Sequence, residues 1–234
     1  MEYPIRDRVF VVTGASGGMG RVICRMLAAE GGKLALCGND AASMDALRAE
    51  LPADVMTAVV DVTKEEEVAA FFDEVAARFG GADALINLAG LSIPAQIPEM
   101  AEADFDLTMN VNLKGAFLAS KHFAPIARPN AQIVNMGSMA ALRANGNAPV
   151  YCTAKAAVNM FSAGLQIQLA KRDIRVTTLN PGGADTPFWG NRKVDREKLL
   201  RASDVCDVMR FMLTCDPRVV FHELNFESFA MIRG

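Results

Sequence analysis

The sequence predicts a doubly wound α/β fold, a parallel sheet with helices on both faces, in three layers. Three observations carry this expectation. Short apolar runs alternate with longer stretches of helical apolar period from one end of the chain to the other. A glycine-rich turn, Thr13–Gly20, lies between the first apolar run and the first amphipathic stretch. The 234 residues contain no repeat, linker or low-complexity segment, so a single domain over 1–234 is expected.

Taken in order, Arg8–Thr13 reads as a strand buried on both faces. After the glycines, Met19, Val22, Ile23, Met26 and Leu27 recur at helical spacing. Lys33–Cys37 is a second strand, Ala41–Glu50 a short helix and Val55–Val60 a third strand. Val68, Phe71, Phe72, Val75 and Phe79 mark another helix, and Asp83–Asn87 a fourth strand. A long helical stretch is expected around Glu99–Ala127, then a strand at Gln132–Met136. Asn147, with Pro149 behind it, reads as a helix cap, and the helix should run to about Lys171. Ile174–Leu179 is a sixth strand, Ser203 reads as the cap of another helix, and Val219–Phe226 supplies the last strand. Strands and helices in such alternation imply right-handed crossovers, the Rossmann-type arrangement. Irregular segments at about 91–98, 139–148 and 184–201 follow strands four, five and six, the end where open α/β sheets bind ligands.

Composition narrows the function classes. A formal charge of −3 argues against broad nucleic-acid binding. No apolar run is long enough to span a bilayer and the first residues lack a signal-peptide layout, so a soluble, cytoplasmic protein is expected. Five cysteines without CxxC spacing read as free thiols. His122 and His222 are far apart and lack acidic neighbours in a ligand pattern, so neither a metal site nor a Ser-His-Asp triad is expected.

Two constellations carry chemistry. Glycines between a strand and a helix let backbone N–H groups approach a diphosphate at the positive helix end. Tyr151 and Lys155 lie one helical turn apart, so both point the same way. A phenol with a pKa of about 10 is a poor base near neutrality, and an adjacent ammonium favours the phenolate. Ser138, at the end of predicted strand five, can hydrogen-bond a substrate oxygen as charge builds on it.

The turn's TGxxxGxG spacing, with Ser138 and Tyr151-x-x-x-Lys155 in the expected order, resembles the short-chain dehydrogenase/reductase family over nearly the whole chain. The resemblance implies a cofactor turn at Gly14, Ser16, Gly18, Met19 and Gly20. It implies an adenine contact at Asp61-Val62 and a cofactor-facing segment at Asn87, Ala89 and Gly90, with Leu88 replacing the family's second asparagine. It further implies a nicotinamide-holding segment at Pro181, Gly182 and Thr186. Asn112 matches the asparagine that helps hold a proton-relay water, and Tyr151 and Lys155 would also grip the cofactor. Relatives that prefer NAD place an acid after strand two, whereas those preferring NADP place a base there or in the turn. Asn39-Asp40 and Gly17 stand at these places, which leans to NAD over NADP.

The implied activity is interconversion of a secondary alcohol with a ketone, or a 3-oxoacyl-type carbonyl, using a nicotinamide cofactor and a small-molecule substrate. Two rival readings remain: a catalytically silent dinucleotide-binding regulator, and a non-redox nucleotide-sugar epimerase or dehydratase. Phe188 and Trp189 read equally as a substrate lid or a loop anchor, and Arg143 as an exposed loop residue sooner than an anion contact. The C-terminal segment lacks the glycine pair many relatives carry. A homo-oligomer, dimer or tetramer, is expected through the helices after strands four and five.

Overall fold

A computed structural model describes residues 3–52 and 54–233. Val9–Thr13 (β1) is buried at every position. Gly18–Ala29 (α1) turns Ile23, Cys24 and Leu27 inward. Lys33–Gly38 (β2), Ala41–Glu50 (α2), Met56–Val59 (β3), Glu65–Phe79 (α3) and Ala82–Asn87 (β4) follow. Three glutamates open α3, where they suit the positive helix end, and Gly80 closes it at a left-handed φ of 68°.

The long helix expected around Glu99–Ala127 is divided. Glu102–Met109 (α4) passes through one wide π turn, Asn110–Lys114, into Gly115–Ile126 (α5). Ala127–Met136 (β5) starts earlier than expected, with a register irregularity and Asn130 at a φ of 64°. Pro149–Leu169 (α6) and Arg175–Pro181 (β6) come next. The irregular segment after β6 contains two short strands, Ala184–Asp185 (β7) and Leu200–Arg201 (β8), which pair in parallel. Ala202–Thr214 (α7), Glu223–Phe226 (β9) and Phe229–Arg233 (α8) end the chain.

Three sequence expectations fail at element ends. Ala148, not Asn147, holds the N-cap of α6, and Asn147 sits in the preceding turn, its N–H donating to Asn145 Oδ1. Ser203 does not cap α7: Arg201 stands there, and Asp204 reaches back to its N–H at 2.8 Å. An anionic acceptor one turn inside a helix makes a stronger bond than a hydroxyl. The last strand is shorter than Val219–Phe226, pairing only from Glu223 onward.

The sheet has seven parallel strands in the order β3-β2-β1-β4-β5-β6-β9. Helices flank it on both faces. Ile23, Leu27, Met44, Leu47, Met209 and Leu213 pack one face, from α1, α2 and α7. Val68, Phe72, Val75, Leu118, Phe123 and Leu169 pack the other, from α3, α5 and α6. Full burial of a side chain such as Phe72 or Leu118 contributes about 1.5–3 kcal/mol. Strand order reverses between β1 and β4, and a crevice opens there at the carboxyl ends.

Candidate active site

The glycine turn is shaped by contacts only glycine permits. Gly14 has a φ of +63°, and a Cβ there would lie 2.7 Å from the Ala89 nitrogen. At Gly18 a Cβ would fall 2.6 Å from Thr186 Cβ, so the turn presses directly on the segment after β6. Gly17 caps α1 with no side-chain acceptor. The first-turn N–H groups of α1, Met19 among them, therefore keep donors for an anion. Arg21, which sequence reasoning passed over, ties the turn to α2. Its Nε donates to the Ser16 carbonyl at 3.0 Å, Nη2 to the Ser43 carbonyl at 3.0 Å, and Nη1 meets Glu50.

The residues after β2 and β3 are committed elsewhere. Asp40 is exposed and N-caps α2, accepting the Ser43 N–H at 2.8 Å, and Ser43, through its side chain first and then its N–H, lowers the carboxyl pKa. Asn39 beside it is exposed. Asp61 accepts from both the N–H and the hydroxyl of Thr63, at 2.9 and 2.8 Å. Val62 is buried, its methyl 2.8 Å from where a Cβ on Gly115 would stand. Asn87 donates to Asn135 at 2.8 Å and accepts from Thr13, in a buried chain that Asn135 continues to Ser162. The Asn87 side chain is thus engaged within the sheet, while Ala89 and Gly90 carry the backbone to the crevice.

Gly90 marks the centre of the site. A Cβ on it would stand 2.8 Å from Asn112 Oδ1 and 3.3 Å from Lys155 Nζ. The π turn buries Asn112, whose Nδ2 donates to the carbonyls of Leu91 and Thr108, both at 2.8 Å. Its Oδ1 is buried without a hydrogen-bond partner, an acceptor facing the lysine region. Lys155 is buried and donates to the Met136 carbonyl at 2.8 Å. Ser138 lies two residues beyond β5, held by its N–H to Asn180 Oδ1 at 2.9 Å, and its Oγ accepts from the Ala140 N–H at 3.1 Å. The same hydroxyl lies on the Tyr151 side of the cavity and lowers the pKa of the phenol.

The electrostatics depart from the sequence expectation. Burial pushes the Tyr151 phenol up to about 12, opposed by the Ser138 hydrogen bond and by the charge of Arg192. Lys155 is not among the groups that lower it. Burial brings the ammonium itself down to about 8, and Nζ, 5.8 Å from the phenol ring centre, donates to the Met136 carbonyl.

Ser138, Tyr151, Lys155, Gly90, Gly182 and Thr186 line one cavity of about 810 Å³. Trp189 anchors its loop, donating from Nε1 to the Ala184 carbonyl at 2.7 Å, whereas Phe188 lies 5.8 Å from the Tyr151 ring as a cavity wall. Arg143 is neither free nor merely exposed: it ion-pairs with Glu227 beyond β9. Glu227 packs on Gly182, whose N–H donates to the Phe226 carbonyl at 2.7 Å, and Met231 of α8 closes that side. The C-terminal segment thus forms the cavity floor without the glycine pair. Glu227, Met231 and Arg192 were missed, since no local spacing places them beside Tyr151.

A family model of short chain dehydrogenases matches residues 8–197. The chain belongs to the short-chain dehydrogenase/reductase family, a family of oxidoreductases. It is 31% identical to an uncharacterized oxidoreductase of Staphylococcus saprophyticus, over 94% of this chain and 97% of that one. An alcohol dehydrogenase from the archaeon Thermococcus sibiricus, solved with 5-hydroxy-NADP, is 29% identical with a TM-score of 0.89, covering 96% of this chain and 98% of that one. A Burkholderia cenocepacia short chain dehydrogenase in complex with NADP is 27% identical with a TM-score of 0.89, covering 97% and 99%. Among the described residues no helix is long and apolar enough to cross a membrane.

Proposed function

We propose that this oxidoreductase interconverts a secondary alcohol and a ketone, or a 3-oxoacyl-type carbonyl, with Tyr151 giving or taking the proton. The observation that carries it is the convergence of Ser138, Tyr151 and Lys155 on one cavity bordered by an uncapped helix N-terminus. The residues present fit a nicotinamide dinucleotide. The cradle at Gly14 and Gly18 leaves no room for side chains, and the Asn112 Oδ1 acceptor is orphaned beside Lys155. Gly14, Ser16, Gly18, Met19 and Gly20 would hold the diphosphate, Val62 the adenine side, and Lys155, Pro181, Gly182 and Thr186 the nicotinamide end. When bound, the cofactor exchanges two electrons and a hydrogen with the substrate carbon and, oxidised, brings a positive charge to Tyr151.

In reduction Tyr151 donates its proton to the carbonyl oxygen, which Ser138 orients and polarises. In oxidation the phenolate takes the alcohol proton, and a water between Asn112 Oδ1 and Lys155 Nζ passes it outward. Asp40 spends its carboxylate on the α2 cap, and two structural neighbours were solved with NADP or its 5-hydroxy form. We read the cofactor as NADP at least as readily as NAD. We further propose a homo-oligomer assembled through α4–α6, where Phe105, Phe117, Met160 and Ile167 are exposed.

The test is a panel of ketones and secondary alcohols with both cofactors, read by nicotinamide absorbance. Turnover should fall at least about 10²-fold in Tyr151→Phe while cofactor affinity stays within a few-fold. Turnover untouched by that change would remove Tyr151 from the chemistry. Cofactor binding without turnover of any substrate would favour the silent regulator.

A further inference from the structure

The cavity holds a cation whose charge no ion pair compensates among the described residues. Lys155 is taken by the Met136 carbonyl, Arg143 by Glu227, and Lys193 is exposed. Arg192 is half-buried, lines the same cavity as Tyr151, and makes no ion pair among the described residues. Its Nε donates to the Trp189 carbonyl at 2.9 Å and Nη2 to the Phe188 carbonyl. Its guanidinium lies 5.0 Å from the ring centres of both. Two carbonyls and two rings thus fix its plane while, among the described residues, no carboxylate pairs with it and no hydrogen bond engages Nη1. The field of this group reaches the reacting hydroxyl, since it pulls on the Tyr151 phenol.

We propose that Arg192 receives a carboxylate of the substrate, so that the carbonyl compound reduced here is an oxo acid with an apolar body. A planar guanidinium held in place binds a carboxylate through two parallel N–H donors. Glu227, the one carboxylate lining this cavity among the described residues, is already paired, so it does not repel an anion at Arg192. Leu88, Pro94, Met139, Phe188 and Met231 supply an apolar wall for the rest of the molecule. In the step itself the carbonyl carbon gains a hydrogen and two electrons from the reduced nicotinamide, and the oxygen gains the Tyr151 proton. The carboxylate passes through unchanged. This assignment names the substrate class of the proposed reaction and rests on that reading.

Two arms test it separately. In the first, 2-, 3-, 4- and 5-oxohexanoate are compared with their methyl esters. Wild-type kcat/KM should favour at least one acid over its ester by about tenfold or more. Arg192→Gln should collapse that ratio towards unity, and Arg192→Lys should restore part of it. An acid-to-ester ratio near unity in the wild type, or one unchanged in Arg192→Gln, overturns the proposal. The second arm needs no turnover, because Trp189 is the only tryptophan in the chain and adjoins Arg192. Hexanoate should change its fluorescence, hexanamide should not, and the response should vanish in Arg192→Gln. Equal responses to the two probes would overturn the carboxylate site. A positive fluorescence arm with no ketone or oxo acid reduced would instead sink the proposed reaction and leave the anion site standing.

Discussion

At Tyr151 and Lys155 burial acts on two protonation equilibria in opposite senses, holding the phenol near 12 and the ammonium near 8. Both shifts favour the neutral side chain, the form a dry cavity costs least to hold. They have opposite consequences for stability. The folded chain releases the Lys155 proton at about 8, whereas the unfolded lysine keeps it to about 10.5. Stability from this residue therefore rises with pH between those values. Tyr151 contributes the reverse, and only above about pH 10, where the unfolded phenol ionises and the buried one does not. The buried thiols Cys24 and Cys37, both pushed upward, also cost stability in alkali, but equally in a lysine variant. The stability difference between wild type and Lys155→Met in urea should thus grow by on the order of 2 kcal/mol from pH 7.5 to 9.5. A flat difference would show that the lysine is not desolvated. Residues of this kind divide sharply in how far they could be read from sequence. The positions of Ser138, Tyr151 and Lys155 together were legible, because one helical turn and one strand end bring them close. The direction of the phenol shift was not, because it depends on burial in a cavity whose wall includes Phe188 of a remote loop.

Among the elements, the turn after β1 and the segment after β6 fit by the absence of side chains. Because Gly18 abuts Thr186 and Pro187, Gly18→Ala must push the β6 segment away from the head of α1. Overpacking of this sort costs about 1–3 kcal/mol. Dinucleotide affinity should drop at least about tenfold by calorimetry, a loss of about 1.4 kcal/mol. Unchanged affinity and melting temperature would mean that the two segments part freely. The glycines were legible as a motif, since a strand, a tight turn and an amphipathic helix follow in order. What Gly18 touches was not, since its contact residues lie far along the chain. Element ends show the same limit. Asn147 and Ser203 have good capping chemistry, but α6 starts from Ala148 without a side-chain cap and Asp204 caps α7, and only the folded backbone decides this. The π turn at Asn110–Lys114 left no mark in the apolar period, yet it buries Asn112.

For the whole molecule, alternating periodicity was enough to foresee a seven-stranded parallel sheet between two helical layers. Parallel strands need long crossovers, and the chain supplied a helix for each. Assembly was expected through the helices after strands four and five, and the outward face of α6 has residues that would serve it. Met160 and Ile167 are 75% and 79% exposed, and Phe117 stacks edge-on with Phe161 across α5 and α6. An apolar face of this kind favours association with a second copy. Light scattering should give a multiple of 25.1 kDa, and Met160→Glu with Ile167→Glu should shift it towards one chain. A wild-type mass of one chain would refute assembly through this face.

The most direct measurement is the pH dependence of kcat/KM for alcohol oxidation in wild type and Tyr151→Phe. With the oxidised cofactor adding its positive charge, the wild-type rate should climb with pH through an apparent pKa clearly below 12, and Tyr151→Phe should lose that limb together with at least about 10²-fold in rate. The same limb persisting in Tyr151→Phe would contradict proton transfer by this residue.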